Sequence, residues 1–295
     1  MFKSGFITVI GRPNVGKSTL LNGLIGEKIS IISDKPQTTR NRIQMVYTDD
    51  KMQCVFLDTP GIQQPKNKLG DYMLSVSKNT LNEVDVITFM VDLSEDIGKL
   101  DQYIIDLLKE VNTKIILIIN KIDLAENEDF INKLILKYKN LNIFEKIVPI
   151  SALEEKNYSE YLNSIYEILE EGPMYYPEDM ITDQPERNII AEIVREKVLQ
   201  NMYDEIPHGI AVEVLKISER EDKNLMDIEI NLYVEQNSHK GMVIGKGGQM
   251  LKTIGSQARM DIQKLLDIKV NLNIWVKVAK DWRKKDSRVK DFGYR

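Results

Sequence analysis

A chain of 295 residues that is 42% hydrophobic and 29% charged can bury a sizeable core and is long enough for two domains, which excludes intrinsic disorder and small disulfide-stapled scaffolds. No stretch approaches the ~18 consecutive apolar residues of a membrane-spanning helix and no signal-peptide pattern opens the chain, while the single cysteine, Cys54, sits in an apolar run and allows neither an internal disulfide nor a zinc cluster; the expectation is a soluble protein with an inert, buried thiol. The net charge of −5 hides an asymmetry, +9 over residues 239–295 against −14 over residues 1–238, and a basic tail of this kind suggests a polyanionic partner.

From Phe6 to about Glu171, apolar strand-like runs at 6–10, 42–48, 52–57, 86–91, 114–119 and 146–150 alternate with helical ones. This alternation predicts an α/β fold, a mostly parallel sheet with helices on both faces. With the third run taken from Lys51, only Asp49 and Asp50 separate 42–48 from 51–57, too few for a crossover, so that pair must form an antiparallel hairpin and the sheet is mixed. Residues 172–187 hold three prolines and no sustained period, which stops helix and central strand alike and places the domain linker there. The expected organisation is a first domain at 1–171, the linker at 172–187, and a smaller α+β domain with a basic tail at 188–295. That second domain runs helix (about 188–204), strand pair (about 210–218 and 225–236), glycine loop, helix (about 248–266) and strand (about 270–278).

Gly11-Arg12-Pro13-Asn14-Val15-Gly16-Lys17-Ser18 fits G-x-x-x-x-G-K-[S/T] directly after a strand and before a helical run, the context a phosphate loop needs. Backbone N–H groups around Gly11, Asn14, Val15, Gly16 and Thr19 can turn toward phosphate oxygens. Lys17 adds charge near the β and γ phosphates, and the Ser18 hydroxyl can ligate Mg²⁺. Asp58-Thr59-Pro60-Gly61 ends the next core strand, where Asp58 can hold Mg²⁺ through water and the Gly61 N–H can approach a γ phosphate. Asn120-Lys121-Ile122-Asp123 follows the strand at 114–119 and chooses the base: the Asp123 carboxylate can accept from guanine N1–H and the 2-amino group, neither of which adenine offers. Leaving a buried polar group unpaired costs ~1–3 kcal/mol, so guanine should win over adenine by at least about tenfold. Ser151-Ala152-Leu153, after the run at 146–150, offers a backbone N–H toward guanine O6.

Four such elements in this order resemble a P-loop GTPase domain of the translation-factor type. The resemblance implies GTP and GDP as ligands, Mg²⁺ as cofactor, and a mobile loop whose threonine reaches the metal in the triphosphate state. Here that loop holds Pro36-Gln37-Thr38-Thr39-Arg40, with Thr39 the expected ligand and Thr38 the alternative register. Lys17, Thr39 and Gly61 are then the groups expected to act at the γ phosphate. Ile62 follows Gly61 where Ras-like enzymes carry the glutamine that orients the attacking water, a task beyond an apolar side chain; Gln63 and Gln64 are displaced from that position. Either backbone groups and another element orient the water, or hydrolysis waits for a partner. Some GTPases of this broader group place an asparagine at the Asn14 position to help hold K⁺, so K⁺ joins the expected cofactors against the alternative of a loop-bracing side chain.

In the second half, Gly245-Lys246-Gly247-Gly248 fits a G-x-x-G loop and precedes the amphipathic run Leu251, Ile254, Ala258, Ile262, Leu265. Small residues let the backbone close on a sugar–phosphate chain, the following helix start favours anions, and Lys246 adds charge. Helix, two strands, glycine loop, helix and strand is the order of a type II KH domain. Together with the segment Lys240–Gly255, Trp275-Val-Lys-Val and Asp281-Trp-Arg, nearly the whole chain resembles the Era family of bacterial ribosome-assembly GTPases. The resemblance implies a GTP-hydrolysing switch that binds small-subunit ribosomal RNA near its 3′ end during maturation of the small ribosomal subunit, with nucleotide state gating RNA access. It implies a cytoplasmic monomer, and peripheral association with the inner face of the cell membrane, although no lipid anchor or strongly amphipathic terminal helix is visible. A competing reading, which Ile62 keeps open, is a nucleotide-gated RNA-binding chaperone with negligible hydrolysis; a third makes the basic end a membrane-surface patch. His208 and His239 lie too far apart to suggest a local metal pair. Trp275 reads as strand packing, and Trp282, among Lys280, Arg283, Lys284 and Lys285, as packing rather than base stacking.

Overall fold

Central strands of a parallel sheet are covered on both faces, so they read as continuous apolar runs, and the runs at 52–57 and 86–91 do so here. In the computed structural model, which describes residues 1–220 and 223–294, these become β3 (Met52–Asp58) and β4 (Val86–Val91), both buried along their whole length. With β1 (Lys3–Ile10), β2 (Ile43–Thr48), β5 (Lys114–Ile119) and β6 (Lys146–Pro149) they form one sheet of order β2-β3-β1-β4-β5-β6. Every pair is parallel except the β2–β3 hairpin, as the short turn at 49–51 requires. Side chains alternate between two cores. Val86 and Met90 face the layer of α1 (Lys17–Ile25) and α5 (Tyr158–Ile168), whereas Ile87, Phe89 and Val91 face α3 (Lys99–Leu108) and α4 (Glu128–Lys139). Cys54 lies fully buried in the first core, and burial pushes its thiol pKa up, which keeps it unreactive.

Up to Pro185 the proline-rich stretch forms no helix or strand, yet it is not loose; its last two residues, Glu186 and Arg187, already belong to the next helix. Its backbone hydrogen bonds go to the edge hairpin: buried Gln53 accepts from the Tyr175 and Tyr176 N–H groups at 2.7 and 3.0 Å and donates to Tyr176 O at 2.9 Å, and Thr182 Oγ1 donates to Gln44 O at 2.6 Å.

Beyond it, α6 (Glu186–Asn201), β7 (Ala211–Arg220), β8 (Leu225–Val234), α7 (Asn237–Ile244), α8 (Gln249–Leu266), β9 (Lys269–Val278) and α9 (Asp286–Asp291) follow in order. β7 and β8 are antiparallel and β8 and β9 parallel, and Val194 and Ile190 of α6 with Ala258 and Ile262 of α8 cover one face of this sheet. The parallel pairing needs a crossover, which α7 and α8 supply. Helix α7 is absent from the sequence reading, which passes from strand straight into glycine loop; its eight residues bury only Val243, so no amphipathic period announces it. A second correction concerns Trp275. On β9 the even positions Val270 and Val276 face inward, so the odd Trp275 faces out and is 46% exposed rather than packed. Trp282 is fully buried, donating from Nε1 to Gly209 O at 2.9 Å and stacking on Tyr294.

Cα proximity divides the chain into two units. The first comprises Met1–Ser30, Thr39–Gln64 and Met73–Asp183; the second comprises Ile31–Thr38, Pro65–Tyr72 and the chain from Gln184 on. The helix α2 (Lys68–Thr80) begins in the second and ends in the first.

Candidate nucleotide-binding site and nucleic-acid interface

The chain leaves β1 at Ile10 and enters α1 at Lys17, so the phosphate-loop sequence lies at the carboxyl edge of the sheet. Gly16 has φ of 107°, and a Cβ there would lie 2.2 Å from Asn120 Nδ2, so both conformation and space demand glycine. The Lys17 ammonium is buried and donates to the carbonyls of Gly11 at 3.3 Å and Arg12 at 3.1 Å. Burial lowers its pKa to about 8, against the opposing pull of Asp58; phosphate oxygens in reach would restore the charged form. Val15 is fully buried, Asn14 is exposed with φ of 66°, and Thr19 lies half-buried in the first turn of α1.

At the end of β3, Asp58 is fully buried. Its Oδ2 accepts from Ser18 Oγ at 2.9 Å and from Ser30 Oγ at 2.7 Å, and Thr39 Oγ1 lies 3.1 Å from Ser18 Oγ. Its Oδ1 is buried with no hydrogen-bond partner. Burial raises the Asp58 pKa; hydrogen bonds from Ser30, Ser18 and Thr39 and the charge of Lys17 oppose the rise. A carboxylate with a spare buried oxygen, flanked by hydroxyls, is the hard oxygen donor set a small divalent cation takes, and these residues fit Mg²⁺. Thr38 instead turns its hydroxyl onto Lys35 O at 2.6 Å, within its own loop. Ser30 belongs to no motif and was not among the sequence candidates. Asn22 of α1 fixes it, accepting from the Ile29 and Ser30 N–H groups at 3.0 and 2.9 Å and donating to Ser30 O at 2.7 Å.

The residues expected to read the base meet the phosphate loop through Asn120, whose Nδ2 donates to Val15 O at 2.7 Å and whose Oδ1 accepts the Ala152 N–H at 2.8 Å. Asp123 accepts from Ser151 Oγ at 2.5 Å, which orients its carboxylate. Lys121 takes a left-handed φ of 68° and pairs with Asp92 at 3.5 Å. Arg12 pairs with the same Asp92 and, from Nε at 3.1 Å, with buried Asp101, so the phosphate loop and the base loop share an anchor that sequence spacing does not disclose. The Leu153 side chain is exposed. Gly61 abuts the phosphate loop: a Cβ there would lie 2.9 Å from Pro13 N. The Ile62 N–H donates to Gly11 O at 3.1 Å while its side chain is fully buried in the α3–α4 core, away from any water that could attack. Gln63 has a buried, unpartnered Nε2, and Gln64 is exposed.

In the second unit, Gly245 closes α7, and Lys246, Gly247 and Gly248 lead into α8. Gly247 and Gly248 have φ of 59° and 77°, with open space where a Cβ would point, so the tip offers bare backbone to solvent. A groove of about 390 Å³ runs from this tip, lined by Gly248, Lys252 and Arg259 of α8 and by Asn271 and Asn273 of β9. Cations at Lys252 and Arg259, seven apart on one helix face, and amides along the facing strand suit a sugar–phosphate chain and base edges. These four side chains were not sequence candidates; the spacing of Lys252 and Arg259 was the available signal.

The model of the family described as "50S ribosome-binding GTPase" matches residues 6–121, and that of the KH domain matches residues 205–283. The chain is 54% identical to GTPase Era of Clostridioides difficile (strain 630) over 294 residues, covering 100% of this chain and 99% of that one. The chain belongs to the Era GTPase family. Its relative from Alkaliphilus oremlandii (strain OhILAs) is 56% identical over 293 residues, covering 99% of each chain. Among solved structures, a variant of Aquifex aeolicus Era bound to GDP·AlF4⁻ superposes with a TM-score of 0.96 at 41% identity, covering 99% of both chains. Era in complex with MgGDPNP and nucleotides 1506–1542 of 16S ribosomal RNA gives the same TM-score and identity over 100% of this chain and 99% of that one. Like its family, this chain is a GTPase with a KH domain.

Replacing Asp123 with Asn should weaken GTP binding at least about tenfold and shift preference toward XTP, whose C2 carbonyl suits an amide donor. Nucleotide competition checks this; an Asp123→Asn protein that binds GTP as the parent does would remove the base-reading role.

Proposed function

We propose that this chain binds GTP and GDP with Mg²⁺, hydrolyses the triphosphate, and binds small-subunit ribosomal RNA near its 3′ end to assist maturation of that subunit. The observation that carries the nucleotide half is the convergence of Ser18, Thr39 and Asp58 around a buried, unpartnered carboxylate oxygen. When bound there, Mg²⁺ would neutralise charge on the β and γ phosphates. In this reading Ser18 and Thr39 ligate the metal directly and Asp58 holds it through water. Lys17 and the backbone around Gly11, Asn14, Val15, Gly16 and Thr19 hold the phosphates; the Gly61 N–H meets the γ phosphate; Asn120, Lys121, Asp123 and the Ser151–Leu153 backbone hold the base. Membership of a GTPase family favours turnover over the chaperone reading. With Ile62 buried, water must be oriented by other groups.

The RNA half is supported by the relative solved with 16S ribosomal RNA, matched end to end, and by the open backbone of Gly247 and Gly248 beside Lys246, Lys252 and Arg259. The "50S" in the matched family description names the other ribosomal subunit, but that match spans only residues 6–121, and the full-length relative carries more weight. The working division is a GTPase domain at 1–171, a tether at 172–187, and an RNA-binding domain at 188–295 around Gly245, Lys246, Gly247 and Gly248. The protein acts as a cytoplasmic monomer, with any association at the inner face of the membrane peripheral: among the described residues no helix is long and apolar enough to cross a bilayer.

Asn14 is proposed to help hold K⁺ beside the nucleotide, adding positive charge where negative charge develops. Hydrolysis should then run faster in K⁺ than in Na⁺ at equal ionic strength, and Asn14→Ala should abolish the difference; equal rates in the parent would dismiss K⁺.

Replacing Lys246 and Gly247 together with Asp puts two carboxylates against the phosphate path and a Cβ on the open backbone. Fluorescence anisotropy with a single-stranded oligonucleotide from the rRNA 3′ end should show binding reduced at least about tenfold, with GTP affinity in the absence of RNA unchanged. Parent-like RNA binding by a folded double variant would place the RNA elsewhere.

A further inference from the structure

Three hydroxyls surround the Asp58 carboxylate, and two of them, Ser18 and Thr39, are metal ligands in the reading above. The third has no such task. Ser30 is fully buried and donates from Oγ to Asp58 Oδ2 at 2.7 Å, against 2.9 Å for the bond from Ser18. One amide holds its backbone from both sides: Asn22 Oδ1 accepts the Ile29 and Ser30 N–H groups at 3.0 and 2.9 Å, and Nδ2 donates to Ser30 O at 2.7 Å. Asn22 stands four residues after Ser18 on α1, so one helix face presents Ser18 to the carboxylate and Asn22 to the backbone of Ser30. The bonds from Ser18 and Ser30 both land on Oδ2, while Oδ1, buried in the same site, has no hydrogen-bond partner.

We propose that Ser30 is a positioning residue for Asp58 and that Asn22 acts through it. The hydroxyls of Ser18 and Thr39 are committed to the metal, whereas Ser30 is fixed by α1 and stays with the carboxylate. It holds Oδ2 and leaves Oδ1 as the oxygen still to be answered, so the carboxylate is oriented before Mg²⁺ arrives. Groups that orient a metal's ligands affect affinity for the metal without touching it. The proposal rests on the reading of Asp58 as the group that holds Mg²⁺ through water.

The test uses the full chain as parent, Ser18→Ala, Ser30→Ala, Ser30→Cys, Asn22→Ala and the double variant of Asn22→Ala with Ser30→Ala. A fluorescent, non-hydrolysable GTP analogue reports nucleotide affinity in EDTA and as Mg²⁺ is titrated in. Ser30→Ala should raise the Mg²⁺ concentration for half-maximal gain in affinity about tenfold and leave affinity in EDTA within about twofold of the parent. Asn22→Ala should raise it less, and the double variant should match Ser30→Ala, because the effect of Asn22 passes through Ser30. Affinity lost equally with and without Mg²⁺ would mean a structural role only and overturn the proposal. An unchanged Mg²⁺ requirement in Ser30→Ala while Ser18→Ala raises it would also overturn it, and additive effects in the double variant would overturn the part given to Asn22. If Mg²⁺ adds nothing to the parent's affinity, the metal reading fails first and the proposal falls with it. Should Ser30→Ala not fold, Ser30→Cys, of nearly the same shape but a weak donor, decides by the same readouts.

Discussion

A carboxylate taken fully out of water must be compensated, and Asp58 at the end of β3 is where this fold meets that requirement. Ser18 from α1, Ser30 from the following loop and Thr39 from the chain before β2 supply hydroxyls around it, and one oxygen is left over. Parallel strands that end at one sheet edge bring these segments together, and hydrogen bonds to a charged group are among the stronger ones a protein makes, ~1.5–3 kcal/mol each. In the proposed reading a divalent cation would answer the remaining oxygen, so that the demand for compensation and the demand for catalysis would coincide.

Rigidity around that centre comes from side chains with two commitments. Asn120 joins the phosphate loop to the loop of Ala152, and Asp92 joins Arg12 to Lys121, so these loops are fixed to each other. The segment at 31–38 is bound through its backbone, at Gln37 and Thr38 by Arg195 and at Ile32 by Glu196.

Much of this was legible in the sequence because it rests on local pattern. The apolar runs give the strands to within a few residues, Asp49-Asp50 dictates the antiparallel pair, and glycines at 11, 16, 247 and 248 mark turns where the backbone takes a positive φ. What escaped has no local signature. Ser30 is an ordinary loop serine until Asn22 fixes it beside Asp58, and Arg195 is one charge among several on a helix until its carbonyl partners appear. Helix α7 buries one side chain, too little for a period, and the outward face of Trp275 follows from parity along β9 rather than from residue type.

The most direct test of the central claim is a crystal structure of this protein with Mg²⁺ and a non-hydrolysable GTP analogue. The account predicts the hydroxyls of Ser18 and Thr39 at about 2.0–2.1 Å from the metal, with Asp58 joined to it through water. A metal held without Thr39, or with Thr38 in its place, would contradict it.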